Sequence, residues 1–260
     1  MLLAVDVGNT NTVFGVVDGA GSWLTQWRVN TFRLATADDW ASVVLPLAAR
    51  DRIVLDRLEG VAVGSVVPSV TTGLAQFIAQ ATHASPLIVQ SSLDLGIKLC
   101  MDNPHEVGAD RLANAVAVWD QFGSATIVVD LGTATKVEAI DDTGAFLGGA
   151  IAPGLGVMLD TLTARAARLF AVELRDPGVA IGRNTVAAMQ SGLIRGHVHM
   201  LRGLIGDISV EMDAGPRVVI TGGFASTILP SLSEPVTYLP NLTLEGIRLI
   251  HRRNTPALSP

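Results

Sequence analysis

Cysteine is almost missing: Cys100 is the single one in 260 residues. No intrachain disulfide can form, and a reducing compartment fits the chain. Charge is also thin, at 16 % of residues, and lysine is sparse. A net charge of −6 with no cluster of Lys and Arg argues against a nucleic-acid-binding surface. No apolar run approaches the length of a bilayer span. The N-terminus enters an apolar strand within two residues, without the basic region or cleavage site of a secretory signal. The expectation is a cytoplasmic protein with neither nucleic acid nor membrane as partner. Apolar residues are plentiful at 49 %, so the chain is globular and not disordered. Its length allows one large domain or two small ones. The mean hydropathy of +0.44 leaves room for an apolar subunit interface.

The most informative stretch is the first. Leu2 to Val7 is an apolar run broken only by Asp6, a Gly8-Asn9-Thr10 turn follows, and Val13 to Val17 is apolar again. That grammar predicts a β-hairpin with a tight polar connection. Gly8 admits a bound group close to the backbone, while Asn9, Thr10 and Thr12 add donors, a chemistry that suits phosphate oxygens. Asp6 cannot touch phosphate directly and would act through a metal ion or water. An ordinary hairpin with a polar turn is the plain alternative. The pattern recurs, however, at Ile127 to Asp141, where an apolar strand ends in Asp130-Leu131-Gly132-Thr133 and a second strand follows. Similarity on that scale indicates two lobes of like topology. Two such hairpins facing across a cleft would grip a polyphosphate from both sides. Val218 to Ala225 adds a Gly222-Gly223 turn after another apolar strand, where a flat ring can slide against bare backbone.

The rest of the chain alternates strands and helices, which predicts α/β layers with a largely parallel sheet after an antiparallel start. Ser22 to Val29 reads as a strand, and Thr36 caps a helix through Leu47. Gly60 to Pro68 is a strand, Thr71 to Thr82 a helix, and Pro86 to Val89 a short strand. Pro104 and Gly108 shape an irregular loop before a helix from Ala109 to Gln121. Asp110 and Arg111 fall in its first turn. Asp110 has two readings there: stabilising the helix start, or general base beside an Arg111 that binds an anionic group. His105 reads as a loop residue, since no second His or Cys lies at metal spacing. The glycine-dense segment Gly148 to Gly156 reads as a loop before a helix at Val157 to Leu169. A long helix is expected from Val186 to Met212, its first half crowded with small residues that allow close packing within the chain or between subunits. Leu242 to Ile247 begins a short terminal helix, and the tail after Arg253 is expected to be loose.

Six segments together, DVGNTNTVFG, DNPHEVGADR, DLGTAT, GGAIAPG, IGRNTVAAMQSG and LTLEG, occur in the order found in type III pantothenate kinases, and nearly the whole chain resembles that family. The resemblance implies an α/β fold of two ribonuclease-H-like, actin-like ATPase lobes with mixed sheets and a nucleotide cleft between them. It places the lobes at 1–118 and 119–260, with the terminal helix at 242–253 able to pack on the first. It implies ATP-dependent phosphorylation of pantothenate, the entry step of coenzyme A biosynthesis. Asp6, Val7, Gly8, Asn9, Thr10, Asn11, Thr12 and Val13 then form the ATP phosphate loop, and Thr133 is a second phosphate contact. Met101, Gly108, Ala109, Asp110 and Arg111 line the pantothenate site, with Asp110 as catalytic base. Thr185 contacts pantothenate from the neighbouring subunit, which implies a homodimer. Asp130 ligates a monovalent cation, K⁺ or NH₄⁺, and Asp6 a divalent ion, Mg²⁺ with ATP.

The chain departs from the family pattern at several positions. Met101 stands where a Tyr is usual, at a cost of about 1 kcal/mol of substrate affinity if its hydrogen bond is not replaced. Met158 and Phe170 replace the usual Ser and Pro, and Lys136 and Glu138 replace Thr and Asp. Lys136 and Glu138 share one strand face and can pair. Alternatively Lys136 reaches a phosphate or stands in for the monovalent cation. These departures define two competing readings, a catalytically weakened paralogue that regulates by binding nucleotide, and a kinase for another small hydroxy acid.

Overall fold

The computed structural model describes residues 1–255. They divide into two compact units. The first holds Met1–Ile97, Asp102–Ala117 and the chain from Leu242 onward, and the second holds Lys98–Met101 and Val118–Asn241.

In the first unit, β1 (Leu2–Val7), β2 (Asn11–Val17) and β3 (Trp23–Asn30) form an antiparallel meander. On the other side of β1, β4 (Gly60–Ser65) and then β5 (Leu87–Ile88) add in parallel, giving the order β3-β2-β1-β4-β5. β1 and β4 are central strands and read as continuous apolar runs because both their faces are covered. Helix α1 (Ala37–Arg50) starts at a capping box: Asp39 N–H donates to Thr36 Oγ1 at 3.3 Å, and Thr36 N–H donates to Asp39 Oδ2 at 2.9 Å. α2 (Pro68–Thr82) packs on α1 and begins three residues before the expected Thr71. Pro68 sits in its first turn, where a missing N–H costs nothing. Phe14 stacks edge-on against Trp40, with ring centroids 5.9 Å apart in the core. α3 (Ala109–Phe122) carries the chain out of this unit, and the terminal helix Leu242–Asn254 returns to pack on β1 and β4. The backbone at Gly246 lies against the carbonyl of Ala113, a contact no side chain would permit. The segment beyond Thr255, most of the expected loose tail, lies outside the described residues.

The second unit repeats the plan. β7 (Thr126–Leu131), β8 (Ala134–Ile140) and β9 (Ala145–Pro153) form the antiparallel meander, while β10 (Arg217–Thr221) and β11 (Thr237–Tyr238) add in parallel beside β7. The short β6 (Lys98–Leu99) extends the sheet at β9, giving β11-β10-β7-β8-β9-β6. Two expectations need correcting here. Gly148 to Pro153 is strand, not loop: Gly149 lets β9 approach the backbone of Val137 and Glu138, so glycine marks close strand contact and not a turn. The long helix is three pieces, α5 (Thr185–Gln190), a π turn Ser191–Arg195 and α6 (Gly196–Met212). α4 (Leu155–Arg165) also ends before the expected Leu169.

α6 buries His197, which is 1 % exposed. Its Nε2 lies 2.9 Å from Thr135 Oγ1 on β8, and its Nδ1 finds no partner among the described residues. Burial holds its pKa below the ordinary 6.5, and burial does the same for His251 on the terminal helix. The unfolded chain takes up these protons near pH 6.5 and the folded chain only at lower pH, so stability is lost as pH falls through that window. Thermal unfolding should show Tm falling from about pH 7.5 to about pH 5.5, and His197→Gln should flatten the slope. A flat profile in the parent chain would contradict the buried neutral imidazoles.

Candidate active site

In the first unit the sheet ends in the turn between β1 and β2. Asp6 is the penultimate residue of β1, partly exposed, and Asn9 and Thr10 stand exposed at the tip. Gly8 N–H donates to Asn11 O at 3.0 Å, so this donor closes the turn and is spent there. What holds the turn is a residue the sequence reading passed over. Thr31, just after β3, donates its hydroxyl to Gly8 O at 2.7 Å and its N–H to Thr10 O at 2.9 Å. Its Oγ1 also lies 3.0 Å from Oγ1 of the buried Thr12. Three polar contacts from one threonine fix the connection between β1 and β2. No local pattern announces this, because Thr31 is 23 residues from Gly8 and meets it only through β-pairing.

The segment Gly108 to Arg111 reaches the same end of the same sheet. Val66 follows β4 directly, and its N–H donates to Val7 O at 3.1 Å, the last residue of β1. A methyl group on Gly108 would come within 3.2 Å of the Val66 side chain and 2.7 Å of Asp110 Oδ1. Gly108 is therefore what lets the Asp110 carboxylate fold back over the helix start. Asp110 Oδ1 accepts the Arg111 N–H at 2.8 Å, which holds the carboxylate in one orientation. Asp6 and Asp110 thus lie at one edge of one sheet, linked through Val7 and Val66. Ser65, at the end of β4, brings a further hydroxyl to this edge. It accepts from Thr71 Oγ1 at 2.8 Å.

In the second unit Asp130 occupies the position on β7 that Asp6 has on β1, and Thr221 pairs with it from β10. It is far more enclosed, at 8 % exposed. Thr133 is exposed at the tip of the turn, and its carbonyl accepts Gly154 N–H at 3.0 Å. Gly222, at φ +97°, packs on the Leu131 backbone. Met101 lies in this unit against Gly148, and Thr185 is exposed at the first position of α5, after the N-cap Asn184.

Lys136, directly opposite Asp130 in the β7–β8 ladder, places Nζ 2.7 Å from Asp130 Oδ2, with both side chains 12 % exposed. This decides between the fates open to Lys136 as far as Asp130 is concerned: its ammonium is the cation of that carboxylate. A free K⁺ or NH₄⁺ on the same carboxylate does not fit. It would sit beside an existing positive charge, and two unit charges ~4 Å apart repel by about 4 kcal/mol at an effective dielectric of 20. The Lys136 ammonium stands at Asp130 in the place that the family resemblance gives to a monovalent ion. Asp6 does fit a divalent ion, because Mg²⁺ needs only one or two carboxylates when nucleotide phosphates supply other ligands. Among the described residues no group of three or more His, Cys, Asp or Glu forms a ready-made metal cage.

Two sheets of matching strand order, each opening with an acid-ended hairpin, are the plan of the actin-like sugar kinases. The chain shares its fold with the hexokinase of the ROK group from Thermus thermophilus, at TM-score 0.52 and 16 % identity over 96 % of this chain and 97 % of that one. A Campylobacter jejuni protein assigned to the Baf family of transcriptional activators superposes at TM-score 0.61, 18 % identical over 97 % and 98 % of the two chains. Within that class the sequence is specific. Residues 2–207 match the profile of the type III pantothenate kinases. The type III pantothenate kinase of Moorella thermoacetica is 44 % identical over 98 % of this chain and all of its own. That of Gluconobacter oxydans is 45 % identical over the whole of this chain and 96 % of its own. The chain belongs to the type III pantothenate kinase family.

Thr31→Val removes two of the three contacts that pin the first turn. Amide exchange at Gly8 and Thr31 should speed up roughly tenfold while the centre of β1 stays protected. Unchanged exchange at both amides would show that the turn is held by something else.

Proposed function

We propose that this chain transfers the γ-phosphoryl group of ATP to the primary hydroxyl of pantothenate, giving 4′-phosphopantothenate, the first committed phosphorylation of coenzyme A biosynthesis. The observation that carries the reading is the convergence, in one unit, of the β1–β2 turn and of Asp110 on a single sheet edge through the Val66–Val7 contact. Phosphoryl transfer asks mainly for positioning and for neutralisation of charge, plus an acceptor for the proton of the attacking alcohol. In the proposed mechanism Asp110 takes that proton as the new O–P bond forms and ADP departs with the electrons of the old one. The Arg111 N–H already orients this carboxylate for that role. Arg111 offers its guanidinium to the pantothenate carboxylate, a pairing that suits its planar fork.

Asp6 to Val13 form the phosphate loop, with Thr12 shaping it from inside and Asn9 and Thr10 at its rim. Thr133 contributes a second phosphate contact. Asp6 would hold a magnesium ion carried by the nucleotide, which when bound would supply charge neutralisation. Gly108 and Ala109 line the acceptor's binding site. Among the described residues no helix is long and apolar enough to cross a membrane. The proposal includes a cytoplasmic location, where ATP is made available.

The proposal also includes a homodimer in which Thr185 reaches the partner's substrate. Its support is exposed apolar side chains in the segment that leads to α5: Phe170, Val179 and Ile181, the last 83 % exposed. A methyl on Gly192 or Gly196 would meet nothing within 4 Å, so these glycines seat no other helix among the described residues.

Asp110→Asn should lower kcat by roughly 10²- to 10⁴-fold with Tm little changed. A near-normal kcat would remove Asp110 from the role of base. Labelled ATP offered to pantothenate and to a panel of other small hydroxy acids should give product chiefly with pantothenate. Preference for another acceptor, or nucleotide binding without product, would overturn the assignment. Ile181→Asp should shift the mass in solution from two chains to one, and a monomeric parent chain would remove the dimer.

A further inference from the structure

Lysine occurs only twice in this chain, at Lys98 and Lys136, whereas the remaining cationic side chains are arginines. One of the two is spent in an enclosed position, on a carboxylate one residue before a polar turn. Lys136 Nζ lies 2.7 Å from Asp130 Oδ2, and the carboxylate's other oxygen, like Ala134 O, lies 3.6 Å from where a Cβ on Gly132 would stand. Glu138 follows on the same face of β8 and is 1 % exposed. Two enclosed carboxylates on neighbouring strands need positive charge, since charge removed from water is tolerated only when paired. Either a dissolved cation or a tethered one can provide it.

We propose that Lys136 is a built-in monovalent cation: its ammonium does permanently, at Asp130, what a dissolved K⁺ or NH₄⁺ would otherwise do, and the enzyme therefore works without either. The chemistry is closely matched. A lysine head group is an ammonium ion on a tether, with the same single charge, and its local concentration does not depend on the medium. The strand pairing delivers it, because Lys136 stands opposite Asp130 in the ladder and so needs no loop rearrangement to reach it. An arginine would deliver the same charge spread over a planar fork, a poorer stand-in for a compact ion. Lys136 is thus a positioning residue, acting on bound phosphates by fixing the charge state of the edge where the Gly132-Thr133 turn begins. This inference rests on the reading of that turn as a nucleotide contact.

The test is ATP binding, measured by calorimetry on the full chain in tetramethylammonium chloride and in potassium chloride at equal ionic strength, alongside pantothenate phosphorylation. The parent chain should give ATP Kd values within about twofold in the two media. Lys136→Met should bind ATP at least about tenfold more weakly in tetramethylammonium, with potassium or ammonium, but not sodium, restoring most of the loss. Lys136→Arg should stay independent of potassium. Rescue that depends on the cation's identity is a response that a merely structural lysine would not give. A parent chain whose ATP affinity rises about tenfold on adding potassium overturns the proposal, whatever becomes of the variants. So does a Lys136→Met chain that binds ATP normally without any added cation. If ATP binding is indifferent to potassium but no pantothenate is phosphorylated in either medium, the inference stands and the substrate assignment falls.

Discussion

A carboxylate at the end of a buried central strand must stay wet or be paired, and each unit meets that constraint in its own way. β1 and β7 are both covered on two faces, so an acid anywhere along them would be stranded without water. Asp6 stays partly exposed at the mouth of its strand. Asp130 is drawn deeper, and Lys136 is brought across the ladder to meet it. Equivalent positions in two repeats of one topology have therefore diverged in electrostatics while keeping their backbone. Under the proposed function the divergence matters because each strand leads into a turn that would contact phosphate.

Around those strand ends the structure uses long-range contacts to make short loops stiff. Thr31 reaches back from the end of β3 to hold Gly8 and Thr10, and Gly108 gives way so that Asp110 can curl over the start of its helix. In a reaction with little covalent chemistry for the protein to perform, this stiffness is most of what catalysis needs. The glycines at the edge serve approach more than flexibility. Gly222 brings one turn against the Leu131 backbone, and Gly149 brings β9 against β8.

The family's pattern and this chain's departures from it sort by physical role. Asp6, Asp110, Arg111, Asp130 and Thr133 all persist. Lys136 places its ammonium 2.7 Å from Asp130. Met158 packs among Val172, Met189 and Leu193 in a small apolar cluster, so its change of type is absorbed by packing. Phe170 is one of the exposed apolar side chains in the segment that leads to α5, and Met101 packs against Gly148. None of these changes inserts an unpaired charge into the edge that carries Asp6 and Asp110.

Much was legible in the chain of letters alone. Two acid-ended hairpins, alternating strands and helices, the capped start of α1 and the placement of Asp110 in a first helical turn all follow from local patterns: apolar period, turn chemistry and capping, each set by residues within a few positions of one another. Glycine was the ambiguous letter, reading as a loop at Gly148 to Gly156 where a strand runs as far as Pro153, because a residue without a side chain marks a turn and a close contact alike. Only the tertiary structure decided that Thr31 locks the first turn, that Val66 joins Asp110's helix to the end of β1, and that Lys136 belongs to Asp130. Those pairs are made by strand register and sheet order, which bring together residues far apart in sequence or opposite in a ladder, and no local pattern encodes which partner will be there.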